Sequence, residues 1–308
     1  MGPPLLAIVG PTASGKSDLA VALAGRLPLE ILVADSRQVY RGMDVGTAKP
    51  DTGARTAVPH HLLDLVDPDA GFTVADWVGR ARRLLPEIAG RGRLPLVVAG
   101  TGLYLTALVD GHDYRHQTFS PETRERLAAE LEAEGLPALA RRLAGMDAAA
   151  AAGIDLRNPR RVLRALERAH AGGGAASVRA EPYPGRLALI GISRPREVLY
   201  RRIDERAARL FASGLLEETR RLREAGHAPD LPALSGHGYR EAAAYLAGEW
   251  SLEEAITATA RRTRQYAKRQ LSWFRRDPRI VWIRAGDRAG DDPQLVTDAE
   301  TMVRAALS

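Results

Sequence analysis

Residues 10–17 read Gly10-Pro11-Thr12-Ala13-Ser14-Gly15-Lys16-Ser17. They fit the pattern G-x-x-x-x-G-K-[ST], in which glycines let the backbone wrap a phosphate and the loop and helix amides point at the anion. The surroundings suit that reading. Leu5-Leu6-Ala7-Ile8-Val9 precedes the loop as a buried strand, and Asp18 to Ala24 follows as a helix. An incidental glycine-rich turn would not need both. The phosphate-binding candidates are Gly10, Thr12, Ala13, Ser14, Gly15, Lys16 and Ser17. Lys16 is expected to reach a terminal phosphate, and the Ser17 hydroxyl to hold Mg²⁺.

The chain has 308 residues, enough for one large α/β domain or one domain with an insertion. It contains no cysteine, which excludes disulfides, thiolate zinc sites and thiol catalysis. No apolar run approaches the ~18 residues of a membrane span. No charged region precedes the first apolar strand, so a signal peptide is not expected. A soluble, cytoplasmic protein that does not bind membranes follows as the expectation. Net charge is +6, which permits a polyanionic partner. Only three of its 44 cationic residues, Lys16, Lys49 and Lys268, are lysine. Where arginine is used so freely, a retained lysine hints at a site wanting a compact ammonium.

Along the chain, Glu30-Ile31-Leu32-Val33-Ala34 is a second strand, ending in Asp35-Ser36-Arg37-Gln38. Ligands of parallel α/β sheets bind beyond the carboxyl ends of the strands, so Asp35 is expected to face the phosphate loop's crevice. A turn aspartate is the plain alternative. Val39 to Pro50 is a long glycine-punctuated loop, a feature that usually carries function. Pro59 to Pro68 reads as a strand ending in a turn. Adjacent strand residues point to opposite faces, so His60 and His61 are not expected to chelate one ion. Thr73 caps a helix, and Leu94 to Ala99 forms a strand ending in Gly100-Thr101-Gly102. There Thr101 either approaches a phosphate or belongs to an ordinary turn.

From about Gly111 the pattern changes. Ser120-Pro121-Glu122 starts a helical region that continues to about residue 170. Asn158 caps a helix, and Arg157, Arg161, Arg164 and Arg168 share a helical face that suits nucleic-acid phosphates or plain solvation equally. Ala171 to Ala176 reads as a flexible link. Leu187 to Ile192 returns to strand. Residues 1–111 and 185–308 are therefore expected to form one α/β core, a parallel sheet flanked by helices, with 112–184 as an inserted all-helical subdomain. A helix opened by Ser193-Arg194-Pro195 runs to Gly214. On it Arg202 and Arg206 share a face and could grip a leaving diphosphate, and Glu205 is expected to pair with Arg209. Ser251-Leu252-Glu253-Glu254 is a capping box that launches a long helix, whose end interleaves aromatics with cations. Asp277-Pro278 ends it, and Ile280 to Ile283 is a late strand.

Guanine recognition through N-K-x-D is impossible, because the sole asparagine is Asn158 before a proline. The residues alone thus leave a P-loop transferase or small-molecule kinase with a basic helical insertion.

The phosphate loop, the Asp35 to Pro50 block, His60-His61-Leu62-Leu63-Asp64 and Gly100-Thr101-Gly102-Leu103-Tyr104 together resemble the tRNA dimethylallyltransferase family, bacterial type. So do Arg164-Ala165-Leu166-Glu167, Gly238-Tyr239-Arg240-Glu241 and Thr263 to Gln270. The resemblance runs from the N-terminus to about Trp273. It implies a P-loop NTPase-like fold whose loop holds dimethylallyl diphosphate with Mg²⁺. The implied reaction transfers the dimethylallyl group to N6 of adenosine 37, beside the anticodon of tRNA. Asp35 matches the family's general base, Thr101 a threonine touching the reacting groups, and Arg206 a stabiliser of the leaving diphosphate. Ser36, Arg37 and Gln38 resemble base-side contacts. Arg124, Arg160, Arg161 and Arg164 match positions gripping the anticodon stem-loop from the insertion, and a monomer is expected. Ala99, His237 and Ser17 depart mildly from the family pattern without removing a proposed catalytic group.

Three rivals are weaker. An adenylate dimethylallyltransferase leaves the basic helix around Arg160 unexplained. A small-molecule kinase gives no reason for the Asp35 to Pro50 block. A nucleotide-gated RNA-binding protein predicts that Asp35→Ala leaves function intact.

Overall fold

Every residue of Leu5–Val9 is buried, as expected of a strand covered on both faces. It forms β1, an interior strand of a six-stranded sheet in the computed structural model, which describes residues 2–111, 120–171 and 181–307. The phosphate loop leads into α1 (Lys16–Ala24). Next come β2 (Leu29–Ala34), α2 (Thr52–Ala57), β3 (His60–His61), α3 (Val74–Gly90), β4 (Leu94–Ala99) and α4 (Gly102–Val109). Four helices follow: α5 (Pro121–Glu134), α6 (Leu136–Met146), α7 (Ala148–Ala152) and α8 (Pro159–His170). The chain returns as β5 (Leu187–Ser193), α9 (Arg196–Ala212), α10 (Leu215–Glu224) and α11 (Tyr239–Leu246). It finishes with α12 (Leu252–Phe274), β6 (Ile280–Arg284) and α13 (Pro293–Leu307).

All strand pairings are parallel, in the order β3-β2-β4-β1-β5-β6. Strand alternation divides the apolar side chains between two faces. Leu6, Ile8, Ile31, Val33, Val98 and Ile190 join α1 and α13 in one core. On the other face α3 and α4 pack on β4, where Trp77 donates its indole N–H to Val33 O at 2.9 Å and stacks on Tyr104. The order in which strands are added reverses at β1. Strands β4 and β2 lie to one side of it and β5 to the other, so a crevice opens past its carboxyl end.

The chain divides into two compact units, Met1–Val109 with Tyr183–Ser308, and Asp110–Pro182. Among the described residues, the regular elements of the second are all helices, and they pack Leu127, Leu139, Leu143, Val162 and Leu166 into its own core. Ser120 caps α5 and Asn158 caps α8 with side-chain oxygens, as their positions require. Thr73 and Ser251 form capping boxes at α3 and α12. Of the glycine-rich link expected from Ala171 to Ala176, Ala171 is the C-cap of α8 and the rest lies outside the described residues.

Three local expectations need correction. The strand expected across 59–68 stops after His61, because Leu62 and Asp64 take positive φ (67° and 54°), which no strand continues. Arg157 precedes the α8 cap and pairs with Asp155, so it leaves the basic helical face. Glu205 pairs with Arg201 at 3.8 Å, not with Arg209.

Candidate active site

The phosphate loop adopts backbone that side chains resist. Gly10 has φ +148°, and a Cβ there would lie 2.9 Å from Ile192 O. Gly15 has φ +92°, where a Cβ would meet Gly290 Cα at 2.9 Å. The loop's carbonyls are taken by cations. Lys16 Nζ donates to Pro11 O at 2.8 Å, Arg202 Nε to Ala13 O at 3.1 Å, and Arg194 Nε to Ser14 O at 2.8 Å. Among the described residues, the amides of Ala13, Gly15, Lys16 and Ser17 have no acceptor. Loop amides and the first turn of α1 therefore form an anion cradle.

That cradle is one wall of a cleft of ≈ 920 Å³, which Asp35, Gln38, Arg202, Arg206, Tyr266 and Gln270 also line. Its electrostatics favour an anion. Burial, then the Arg206 charge, push the Lys16 ammonium down to about 7, against the opposing pull of Asp35 and Asp18. Burial likewise lowers the pKa of Arg206. Two desolvated cations facing one space lack the counter-charge that a diphosphate supplies.

Asp35 stands at the carboxyl end of β2, as its place in the sequence suggests. Its Oδ1 accepts from the Arg37 amide at 2.8 Å, so it is also the turn aspartate of the plain reading. Its Oδ2 lies 3.1 Å from where a Cβ on Gly100 would stand, so the glycine gives that oxygen room. The strand-end loops are joined by Thr101, whose Oγ1 accepts from the Ser36 amide at 3.1 Å. Tyr266 Oη donates to Gly100 O at 3.5 Å, beside Thr101, and burial, then Asp35, push its phenol up to about 12.

Not every candidate faces the cleft. Arg37 donates to the carbonyls of Pro232 and Ala233 and to Ser235 Oγ at 2.9 Å, holding the segment before α11. Gln38 lines the cleft while its amide donates to Thr47 O at 3.0 Å and Ala48 O at 3.2 Å. On the insertion, Arg124 and Arg164 both pair with buried Glu167, at 3.2 and 2.9 Å, whereas Arg160 and Arg161 are exposed. His60 and His61 have separate partners: His60 Nδ1 meets Val58 O at 2.8 Å, and His61 Nε2 meets Glu30 at 2.7 Å.

Sequence reading missed several supports. Gln270 Oε1 accepts from the Thr12 amide at 2.8 Å while its Nε2 donates to Gly100 O at 2.7 Å, tying the phosphate loop to the Thr101 turn. Gln270 fell within a recognisable block, but nothing local marked its partners. Glu218 on α10 accepts from the amides of Asp44, Val45 and Gly46 at 2.7–2.9 Å and from Tyr239 Oη at 2.6 Å. This bond set pins the long loop after Asp35. Lys49 has a buried stem and donates to Tyr40 O and Asp44 at 2.6 and 2.8 Å and also to Asp64, the role a compact ammonium suits. His237 sits 5.2 Å from the Tyr266 ring with its Nδ1 buried and unpartnered, and burial pushes it down to about 4.

Fold and site together define a P-loop α/β protein whose anion cradle lies beside an acidic group at the end of β2. Comparison with known proteins narrows the class. A family profile described as IPP transferase matches residues 38–277, and one described as isopentenyl transferase matches 3–56. A tRNA dimethylallyltransferase of Heliobacterium modesticaldum is 46% identical over 285 residues, 90% of this chain and 88% of that protein. The crystal structure of the full-length tRNA isopentenylpyrophosphate transferase from Bacillus halodurans superposes with a TM-score of 0.73 at 40% identity. The match covers 99% of this chain and 96% of that one. A eukaryotic dimethylallyltransferase acting on tRNA shares the fold, with a TM-score of 0.77 at 24% identity over 92% of this chain and 74% of its own. The chain belongs to the IPP transferase family, that of the tRNA dimethylallyltransferases.

Proposed function

We propose that this chain transfers the dimethylallyl group of dimethylallyl diphosphate to N6 of adenosine 37 in tRNA, with release of diphosphate. The observation that carries the reading is the pairing, in one cleft, of an anion cradle around Lys16 and Arg206 with the Asp35 carboxylate.

The exocyclic amine is a weak nucleophile because its lone pair is delocalised into the ring. As N6 bonds to C1 of the allyl group, the C1–O bond breaks and its electron pair leaves with the diphosphate. Asp35 Oδ2, left open while Oδ1 holds the Arg37 amide, takes the N6 proton. The freed amides, Lys16 and Arg206 stabilise the charge developing on the leaving group. Thr101, held by the Ser36 amide, positions the reacting groups beside Asp35. The adenine leaves the anticodon stack to enter the cleft, and Ser36, Arg37 and Gln38 form its base-side frame, Arg37 by bracing the wall from behind.

Mg²⁺ fits the donors present. The Ser17 hydroxyl is exposed at the N-terminus of α1, and Asp35 and Asp18 line the same cleft, an all-oxygen set that suits a hard cation. Bound at Ser17, the ion would neutralise diphosphate charge. On the insertion, Arg160 and Arg161, supported by Arg124 and Arg164, grip the anticodon stem-loop. We assign the enzyme to the cytoplasm as a monomer; no helix among the described residues is long and apolar enough to cross a membrane.

The test is incubation with dimethylallyl diphosphate, Mg²⁺ and either unmodified tRNA or AMP, followed by mass analysis of the nucleosides. Prenylated adenosine from tRNA alone, with kcat reduced ~10²–10⁴-fold in Asp35→Ala, is the expected result. Product from AMP would make the enzyme a free-nucleotide prenyltransferase. ATP consumption without prenylation would restore the kinase reading.

A further inference from the structure

Tyr266, Gln270 and Trp273 occupy i, i+4 and i+7 of α12, a single stripe along the helix. The first two reach the Gly100–Thr101 turn and the phosphate loop. Trp273 extends the stripe outward. A Cβ on Gly102 would fall 2.3 Å from Trp273 Cδ1 and 2.6 Å from its Nε1, so the indole presses on the backbone one residue past Thr101. Its N–H donates to Thr106 Oγ1 at 3.3 Å, which sets the ring's rotation. Even so, Trp273 is 41% exposed, and neighbouring Leu103 is 39% exposed.

An indole anchored along one edge but left open forgoes burial that its large apolar surface would otherwise supply. The surroundings indicate what covers it. Arg269 stands at i−4 from Trp273 on the same helical face, exposed and 5.8 Å from the centre of the Tyr266 ring, and Arg276 is exposed in the turn that follows the helix end. An arginine on the indole's own helical face and a second in the turn just beyond it complement a polyanion that carries flat rings, not an apolar protein surface.

We propose that Trp273 is a stacking platform for a nucleotide adjoining the target adenosine, with Arg269 and Arg276 on its flanking phosphates. Drawing the target base out of the stack strips a stacking partner from each neighbour. An indole beside Thr101 replaces that partner next to the reacting groups, and it accepts any base because every base has a π-face. Trp273 thus acts on capture of the RNA, not on the transfer step. The proposal rests on the tRNA reading above.

The experiment compares wild type, Trp273→Phe and Trp273→Leu on an unmodified anticodon stem-loop, measuring kcat and the KM of each substrate. Quenching of indole fluorescence by the RNA is read alongside. Leucine keeps apolar contact with Gly102 but offers no ring. Trp273→Leu is expected to raise the RNA KM about ten- to hundred-fold with the diphosphate KM unchanged, while Trp273→Phe stays near wild type. RNA quenching should fall sharply in Trp273→Phe. Replacing the nucleotides beside the target with abasic residues should erase the difference between wild type and Trp273→Leu. An unchanged RNA KM in Trp273→Leu overturns the platform. So does a parallel rise in both KM values, the signature of a collapsed Gly100–Gly102 turn. A wild-type enzyme that neither binds nor modifies the stem-loop overturns the tRNA reading and the platform together.

Discussion

Lys16 is held between opposing demands. The proposed reaction asks for its ammonium on the diphosphate, yet the ligand-free cleft buries it, places it near Arg206 and pushes it down to about 7. Above that pH the side chain is largely neutral, and a bound diphosphate restores its charge. Diphosphate binding is therefore expected to take up a proton above pH 7, with affinity falling by up to ~10-fold per pH unit toward pH 10. Calorimetry in buffers of different ionisation enthalpy measures this, and no proton uptake would contradict it. The same shift fixes the sign of a stability effect. Unfolded Lys16 titrates at its ordinary 10.5, so the unfolded chain binds more protons between pH 7 and 10.5, and the ligand-free fold gains stability as pH rises through that window. Below pH 7 that gain is absent. Lys16 and Asp35 were both legible as residues, because a phosphate lysine sits at a set distance from its glycines and a strand-end carboxylate is placed by the sheet. The lowered pKa of Lys16 was not, since it comes from burial in the folded cleft and then from Arg206, 190 positions away.

Among elements, the loop from Val39 to Pro50 shows how one side chain from elsewhere organises a segment with no regular structure. Glu218, 2% exposed, gathers three consecutive amides and a tyrosine hydroxyl. A buried carboxylate is tolerable because those donors stand in for water. Glu218→Gln would turn an amide N–H₂ toward N–H donors. It should destabilise the protein by about 3 kcal/mol in urea unfolding with an unchanged m-value, and raise the KM for dimethylallyl diphosphate. A loss below ~1 kcal/mol would show the loop held by other contacts. Nothing in the sequence next to Glu218 marks it as the anchor of a loop some 170 residues away. Only the packing of α10 beneath the loop gives it its role.

At the scale of the whole molecule, the helical insertion brings its own core and its own arginines. Arg124 and Arg164 share Glu167, so their removal would disturb the insertion as well as any RNA contact. Arg160 and Arg161 are exposed on the first turn of α8 and offer a cleaner test. Arg160→Glu and Arg161→Glu should each weaken tRNA binding while leaving the diphosphate KM unchanged. Each should also lower the slope of log K against log salt by about 0.7–0.9, the loss of one phosphate contact. Binding titrations at several salt concentrations decide this. Equal slopes for variants and wild type would remove α8 from the RNA interface.

Sequence alone determined whatever depends on neighbours along the chain. The phosphate loop is eight consecutive residues whose glycines and helix-end amides suffice for its shape, and the caps at Thr73, Ser120, Asn158 and Ser251 are each set within one turn. Alternating and continuous apolar runs were enough for the parallel sheet and its helical interruption. Tertiary structure decided what reaches across the chain. Thr12 and Gln270 meet over 258 positions, Ser14 and Arg194 over 180, and Arg37 turns to a segment 195 residues on. Such pairs leave no period or spacing to read. They exist because a parallel sheet gathers the carboxyl ends of distant strands at one edge, where unmatched polar groups must find partners from whichever helices pack beside them.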